Sequence, residues 1–252
     1  MQEITGLAPA ALPVAGVVLA ANHLLGIEVE MEGVNNVQTC SRHMSYWDIK
    51  GDGSLRDNGR EFVLRRPLTG SNLEEAIGQY FHAKSFASSL DWSPSHRCGI
   101  HIHSDVRDLT TLQYGRLLAL SMMLDDYFFE EFDSEWRKGI NFCRGVKYDN
   151  RMIMLSKNLM TNERQTNVVL GNAERTKYMS LNLCRVVDLG SIEYRHFTSE
   201  LTQAQMIRLC DDIQHLKKFA MLENLNLGYE AFKERWPEVV VEKFMLKLFG
   251  VV

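Results

Sequence analysis

Residues 24–32 read LLGIEVEME, and the alternation is strict: Ile27, Val29 and Met31 fall on one side of an extended chain, Glu28, Glu30 and Glu32 on the other. Residues 99–105, GIHIHSD, repeat it with Ile100 and Ile102 opposing His101, His103 and Asp105, and residues 191–197, SIEYRHF, set Ile192 and Tyr194 against Glu193 and Arg195. A sustained period of two predicts strands at Leu24–Glu32, Gly99–Asp105 and Ser191–Phe197. Weaker alternation adds Tyr46–Lys50, Glu61–Arg66, where Glu61 shares its face with Val63 and Arg65, and Lys177–Cys184.

Helical spacing fills the intervals. Asn72–Ala87 follows Ser71 as an N-cap, with Glu74 and Glu75 in the first turn where the helix dipole favours acids. Leu109–Phe132, Gln203–Asn224 and Glu230–Phe249 are longer, the last broken near Pro237. Separated strands, with helices gathered in the second half, predict an α+β fold: a mostly antiparallel sheet of about six strands with helices on its apolar face.

The composition bounds this reading. The chain has 252 residues, 45% of them hydrophobic and 24% charged, with 5 prolines, which excludes a disordered, collagen-like or coiled-coil chain. No repeat or composition shift divides it, so residues 1–252 read as a single domain. A net charge of -4 gives no global pull toward nucleic acid. The charge is uneven, however, with residues 137–177 holding nine Lys and Arg against Asp149, Glu163 and Glu174. That basic insertion reads either as an irregular solvated segment or as an arm over an anionic partner. The five cysteines, 40, 98, 143, 184 and 210, form no CxxC pair and suit reduced thiols in a cytoplasm. Cys98 and Cys143 read as packing residues, and Cys40 with His43 is an uncompleted zinc half-site. Ala8–Ala21 is uncharged but too short to span a bilayer and lacks a basic leader, so it reads as a buried helix interrupted near Pro13.

Function is carried by the polar strand faces. A merely wet face usually bears Thr, Ser, Lys or Arg, whereas these concentrate Glu and Asp, depleted in strands, with paired histidines. Carboxylates converging on one face repel one another and take up protons unless cations lie between them. Oxygen donors with a His suit magnesium or manganese better than a thiolate-preferring metal. Met122, Met123, Tyr127, Phe128 and Phe132 have helical spacing and read as packing or a subunit interface, leaving a homo-oligomer open.

Taken in order, GIEVE (26–30), DGSL with GREF (52–55 and 59–62), CGIHIH (98–103), KYMSLNL (177–183) and GSIEYRHF (190–197) resemble the amidoligase family, carboxylate–amine ligases of the glutamine synthetase-like superfamily. The likeness covers residues 24–201, with 202–252 as C-terminal helices. It implies a curved antiparallel sheet whose concave face holds ATP and divalent metal, Mg2+ or Mn2+. On it Glu28, Glu30, Glu61, His101 and Glu193 match the metal ligands, and Arg195 matches the arginine on the transferring phosphoryl group. His103, Lys177 and Asn182 fall toward the nucleotide, and Asp52 is a further site acid where larger relatives carry Glu. Tyr178 is core as readily as a nucleotide contact. The implied substrates are a carboxylate and an amine, anionic or polymeric ones included, with no membrane partner and nucleic acid left open. Two other readings remain: a phosphotransferase of the same superfamily, and a non-catalytic nucleotide-binding or assembly protein.

Overall fold

A computed structural model describes residues 23–35, 37–87, 92, 94–140, 143–161 and 176–248. The elements run β1 (Leu25–Met31), α1 (Val37–Ser41), β2 (Trp47–Gly51), β3 (Arg60–Leu64), α2 (Gly70–Ala87), β4 (Gly99–Asp105), α3 (Thr111–Met123), α4 (Asp125–Glu131), β5 (Gly139–Ile140), β6 (Cys143–Arg144), α5 (Asn150–Thr161), β7 (Leu181–Asn182), α6 (Arg185–Asp188), β8 (Ser191–Thr198), α7 (Gln203–Ala220), α8 (Leu225–Arg235) and α9 (Lys243–Leu248). A single 3-10 turn, Glu135–Arg137, precedes β5.

Six strands form one sheet in the order β2-β3-β1-β4-β8-β7, every neighbouring pair antiparallel, and β5 and β6 make a separate hairpin. The alternation read from the sequence sets the faces. Ile27, Val29, Met31, Phe62, Ile100, Ile102, Ile192, Tyr194 and Phe197 all bury their side chains in the core, under the helices. Among the helices, α3 lies against α5 and α7, and α7 against α2 and α8. α3 is buried from Tyr114 to Met123, the pattern of a helix covered on all sides. α3 and α5 meet closely at Gly115, where an added Cβ would come within 2.9 Å of Leu159 Cβ and 3.0 Å of the Ser156 carbonyl. Ser156 Oγ donates to the Gly115 carbonyl there, at 2.8 Å. Capping boxes open two of the core helices, Thr110 with Gln113 at α3 and Thr202 with Gln205 at α7.

Several expectations need correction. The strand expected at Lys177–Cys184 shrinks to Leu181–Asn182, because Met179 N–H turns back to Thr176 and Ser180 N–H bonds Arg144 beside β6. The helix expected over Leu109–Phe132 breaks at Leu124. Asp125 there is fully buried, and its carboxylate accepts the N–H groups of Val146 (2.9 Å) and Lys147 (3.1 Å), the Ser180 hydroxyl (2.6 Å) and His196 Nε2 (2.9 Å). α2 starts at Gly70, so Ser71 lies inside the first turn and is not its cap. Gln203–Asn224 ends at Ala220, and Glu230–Phe249 is interrupted between Arg235 and Lys243, around Pro237.

The basic stretch 137–177 is no irregular insertion over its described part. It builds the β5–β6 hairpin and α5, and among the described residues three of its nine Lys and Arg are ion-paired: Lys138 and Lys147 with Asp126, and Arg151 with Asp149 at 2.5 Å. Ala8–Ala21 and the side chain of Cys40 lie outside the described residues.

Candidate active site

The antiparallel register assembles the polar face. β1 sets Glu28 opposite His101 and Gly26 opposite His103 on β4, and Glu30 opposite Glu61 on β3. β4 sets His103 opposite Glu193 on β8, which in turn faces Asn182 on β7. Between Ile100 and Ile102 the β4–β8 register shifts by a bulge, so Arg195 and His196 together oppose His101. The extra residue lets Phe197 return to the core while Arg195 stays with the acids, and His196 turns inward to Asp125.

The side chains interlock. His101 Nδ1 stands 3.3 Å from Glu193 Oε1 and 3.6 Å from Glu28 Oε2, with its Nε2 3.8 Å from Glu30. His103 Nε2 lies 3.3 Å from Glu28 Oε1, and its Nδ1 3.2 Å from Ser191 Oγ. Glu193 accepts from Arg195 Nη1 and from Asn182 Nδ2, each at 2.5 Å. Asp52, just past β2, accepts Ser54 N–H at 2.8 Å, and its charge raises the proton affinity of Glu30 and Glu61.

Protonation follows from this crowding. Burial would raise the Glu28 carboxyl, but His101 and His103 beside it hold it well below the usual carboxylate range. Burial would likewise raise Glu193, and His101, Arg195 and His103 outweigh it and lower it. Burial raises Glu30, and burial together with Glu28, Glu30 and Asp52 pushes Glu61 up to about 7. Burial would lower His103, yet Glu28 and Glu193 raise it.

These residues fit a divalent cation. Glu28, His103 and Glu193 each offer a donor atom, all within 4.8 Å of one another. The Nε2 atoms of His101 and His103 are buried and make no hydrogen bond, the mark of a nitrogen that a ligand would satisfy. The matched spacing includes His103, which the resemblance had placed toward the nucleotide.

A cleft of about 410 Å³ opens beside Glu28 and His103, and four cations, Lys50, Arg65, Arg66 and Arg107, line it. Arg65 pairs with Asp48 and Arg107 with Asp105. A larger hollow of about 520 Å³ lies between α2 and α7, lined by Leu73, Ile77 and Ile207, on the helical side of the molecule and away from the acids.

Of the residues expected at the site, Glu28, Glu30, Glu61, His101, His103, Asn182, Glu193 and Arg195 share one face, with Asp52 at its edge. Lys177 stands apart in an exposed turn, its ammonium 5.4 Å from the centre of the Tyr178 ring. Tyr178 itself is exposed and not core. Sequence reasoning did not single out Arg137, which it counted only as one of the nine basic residues of 137–177. Arg137 is only 2% exposed, and its charge is felt by Glu30. The signal was Gly99, the position where the polar row of β4 carries no side chain.

No curated protein matches the chain. A family model described as "Putative amidoligase enzyme" matches residues 82–213, just over half of the chain. The matched segment carries His101, His103, Asn182, Glu193 and Arg195, and β1 and β3 add Glu28, Glu30 and Glu61 opposite them. This chain belongs to the amidoligase family.

Proposed function

We propose that the protein is an ATP-dependent carboxylate–amine ligase that forms an amide or isopeptide bond through an acyl phosphate, with Mg2+ or Mn2+ as its metal. The observation that carries this reading is the convergence of four glutamates, two histidines and Arg195 on one sheet face beside a cation-lined cleft. A carboxylate is a poor acyl donor. Its oxygen first attacks the γ-phosphorus of ATP and ADP leaves; the amine nitrogen then attacks the acyl carbon, phosphate leaves, and the amine gives up a proton.

Glu28, Glu30, Glu61, His101 and Glu193, with His103 beside them, would hold the metal. Bound there, a divalent cation supplies neutralisation of the nucleotide phosphates. Arg195, held by Glu193, presents its planar guanidinium to the phosphoryl group in transit, where two oxygens can be held at once. The cleft at Glu28 and His103, with Lys50 and Arg66 on its wall, takes the nucleotide. Asp52, whose charge acts on Glu30 and Glu61, and Asp105, paired with Arg107, are the two carboxylates that could accept the amine's proton. Reduced thiols at Cys98, Cys143, Cys184 and Cys210 suit a cytoplasmic setting. Among the described residues no helix is long and apolar enough to cross a membrane.

Phosphate release from ATP, assayed over pairs of acids and amines, tests the reaction. Release that requires both substrates together is expected. Consumption of ATP with a single acceptor, leaving a stable phosphorylated product, would replace the ligase with a phosphotransferase.

A further inference from the structure

Arg137 does not belong to any strand, yet its guanidinium completes the polar row of β4. Continuing the β1–β4 register past Val29 and Ile100 sets Gly99 beside Glu30. The face that bears His103 and His101 would next bear a side chain at 99. Instead, an added Cβ at Gly99 would lie 2.5 Å from Arg137 Nη2. The guanidinium thus fills the slot that glycine leaves, with Glu30 and Arg195 close enough for their charges to act on it.

Its bonding is incomplete. Nη1 donates to the Cys98 carbonyl at 2.6 Å, and Nε is buried with no hydrogen-bond partner. Among the described residues no carboxylate forms an ion pair with it, although it is 2% exposed. The Cys143 thiol is a hydrogen-bond partner of the guanidinium, but burial pushes it up to about 12, so it stays protonated and supplies no countercharge. A buried cation without an ion-paired carboxylate is costly, and an anion bound against it would offset that cost. The Nε–Nη2 edge is the one that takes a carboxylate side-on through two parallel bonds.

We propose that Arg137 anchors the carboxylate of the acid substrate, at the end of the polar face opposite the cation-lined cleft. The acid then enters over Glu30, Asp52 and Arg195, and the nucleotide enters over Glu28 and His103, so that the two meet at His101. This rests on the ligase reading for the identity of the anion, while the anion site itself rests on Arg137 alone.

The test uses glutarate as the carboxylate probe and inorganic phosphate as the competing anion, on the full chain, by calorimetry and thermal unfolding at fixed ionic strength. Glutarate should bind wild type and raise its Tm, and bind Arg137→Met about tenfold or more weakly, as loss of a charge-assisted pair does. The metal-free Tm of Arg137→Met should equal or exceed that of wild type, because the variant buries no uncompensated charge. Arg137→Lys keeps the charge without the fork and should show the same loss of glutarate binding; it carries the test if Arg137→Met does not fold. Glutarate binding to either variant as to wild type would overturn the assignment. So would an Arg137-dependent response to phosphate with none to glutarate. A parallel Mg-ATP titration separates the two readings: failure of wild type to bind Mg-ATP, with the glutarate response intact, sinks the ligase and spares the anion site.

Discussion

At the scale of single residues, the site is a set of charges that would not tolerate one another in isolation. Glu61 shows this most directly. Its carboxyl, pushed up to about 7 from an ordinary 4.5, binds its proton more tightly in the folded chain than in the unfolded one. Its contribution to stability is therefore full below about pH 4.5 and is lost as pH rises through 7. Metal-free wild type should lose stability relative to Glu61→Gln across that window, and added magnesium should close the gap; equal pH profiles for the two proteins would contradict this. Glu30→Gln keeps volume and hydrogen bonding but removes a ligand charge. It should fold normally and lose turnover by on the order of a hundredfold or more. Arg195→Lys should fall almost as far although it conserves the charge, because a lysine cannot hold two phosphoryl oxygens in one plane. Steady-state phosphate release reads the Glu30 and Arg195 variants, and unfolding followed across pH reads Glu61→Gln.

At the scale of elements, the sheet register does the positioning and the helices hold it. Gly115 tests the second half of that statement, since Gly115→Ala drives a methyl into Leu159 and the Ser156 carbonyl and should cost about 1–3 kcal/mol in denaturant unfolding. Thr202→Ala should cost about 1 kcal/mol by leaving the first turn of α7 uncapped. Strand β4 is legible to the residue in Gly99–Asp105, and β1 and β8 to within a residue or two, because one buried face and one charged face leave the period no freedom. The bulge at Arg195 and His196 was not legible, because alternation through Ser191–Phe197 looks unbroken until a partner strand sets the register. Nor was the break at Leu124. Apolar residues run through it at helical spacing, and only the distant Val146, Lys147, Ser180 and His196 explain why Asp125 turns inward. Lys177 was placed by its neighbourhood in a motif, while the local turn Thr176–Met179 decides its exposure.

At the scale of the whole molecule, one antiparallel sheet separates an apolar half, covered by α2, α3, α7 and α8, from a polar face that no helix of that layer reaches. The carboxylates come from β1, β3 and β8, the histidines from β4, and Arg137 from the turn before β5, so no short segment contains the site. That is why the individual motifs were weak as sequence and strong once paired. The family match covers residues 82–213 and therefore the histidines and Glu193, while Glu28, Glu30 and Glu61 join the argument through strand pairing. The central claim, that this face binds a nucleotide through a divalent metal, is tested most directly by calorimetric titration of ATP with and without magnesium into wild type and Glu30→Gln. Binding to wild type that requires magnesium and is lost or strongly weakened in the variant is the predicted result; no binding to folded wild type, or equal binding to both proteins without regard to magnesium, would contradict it.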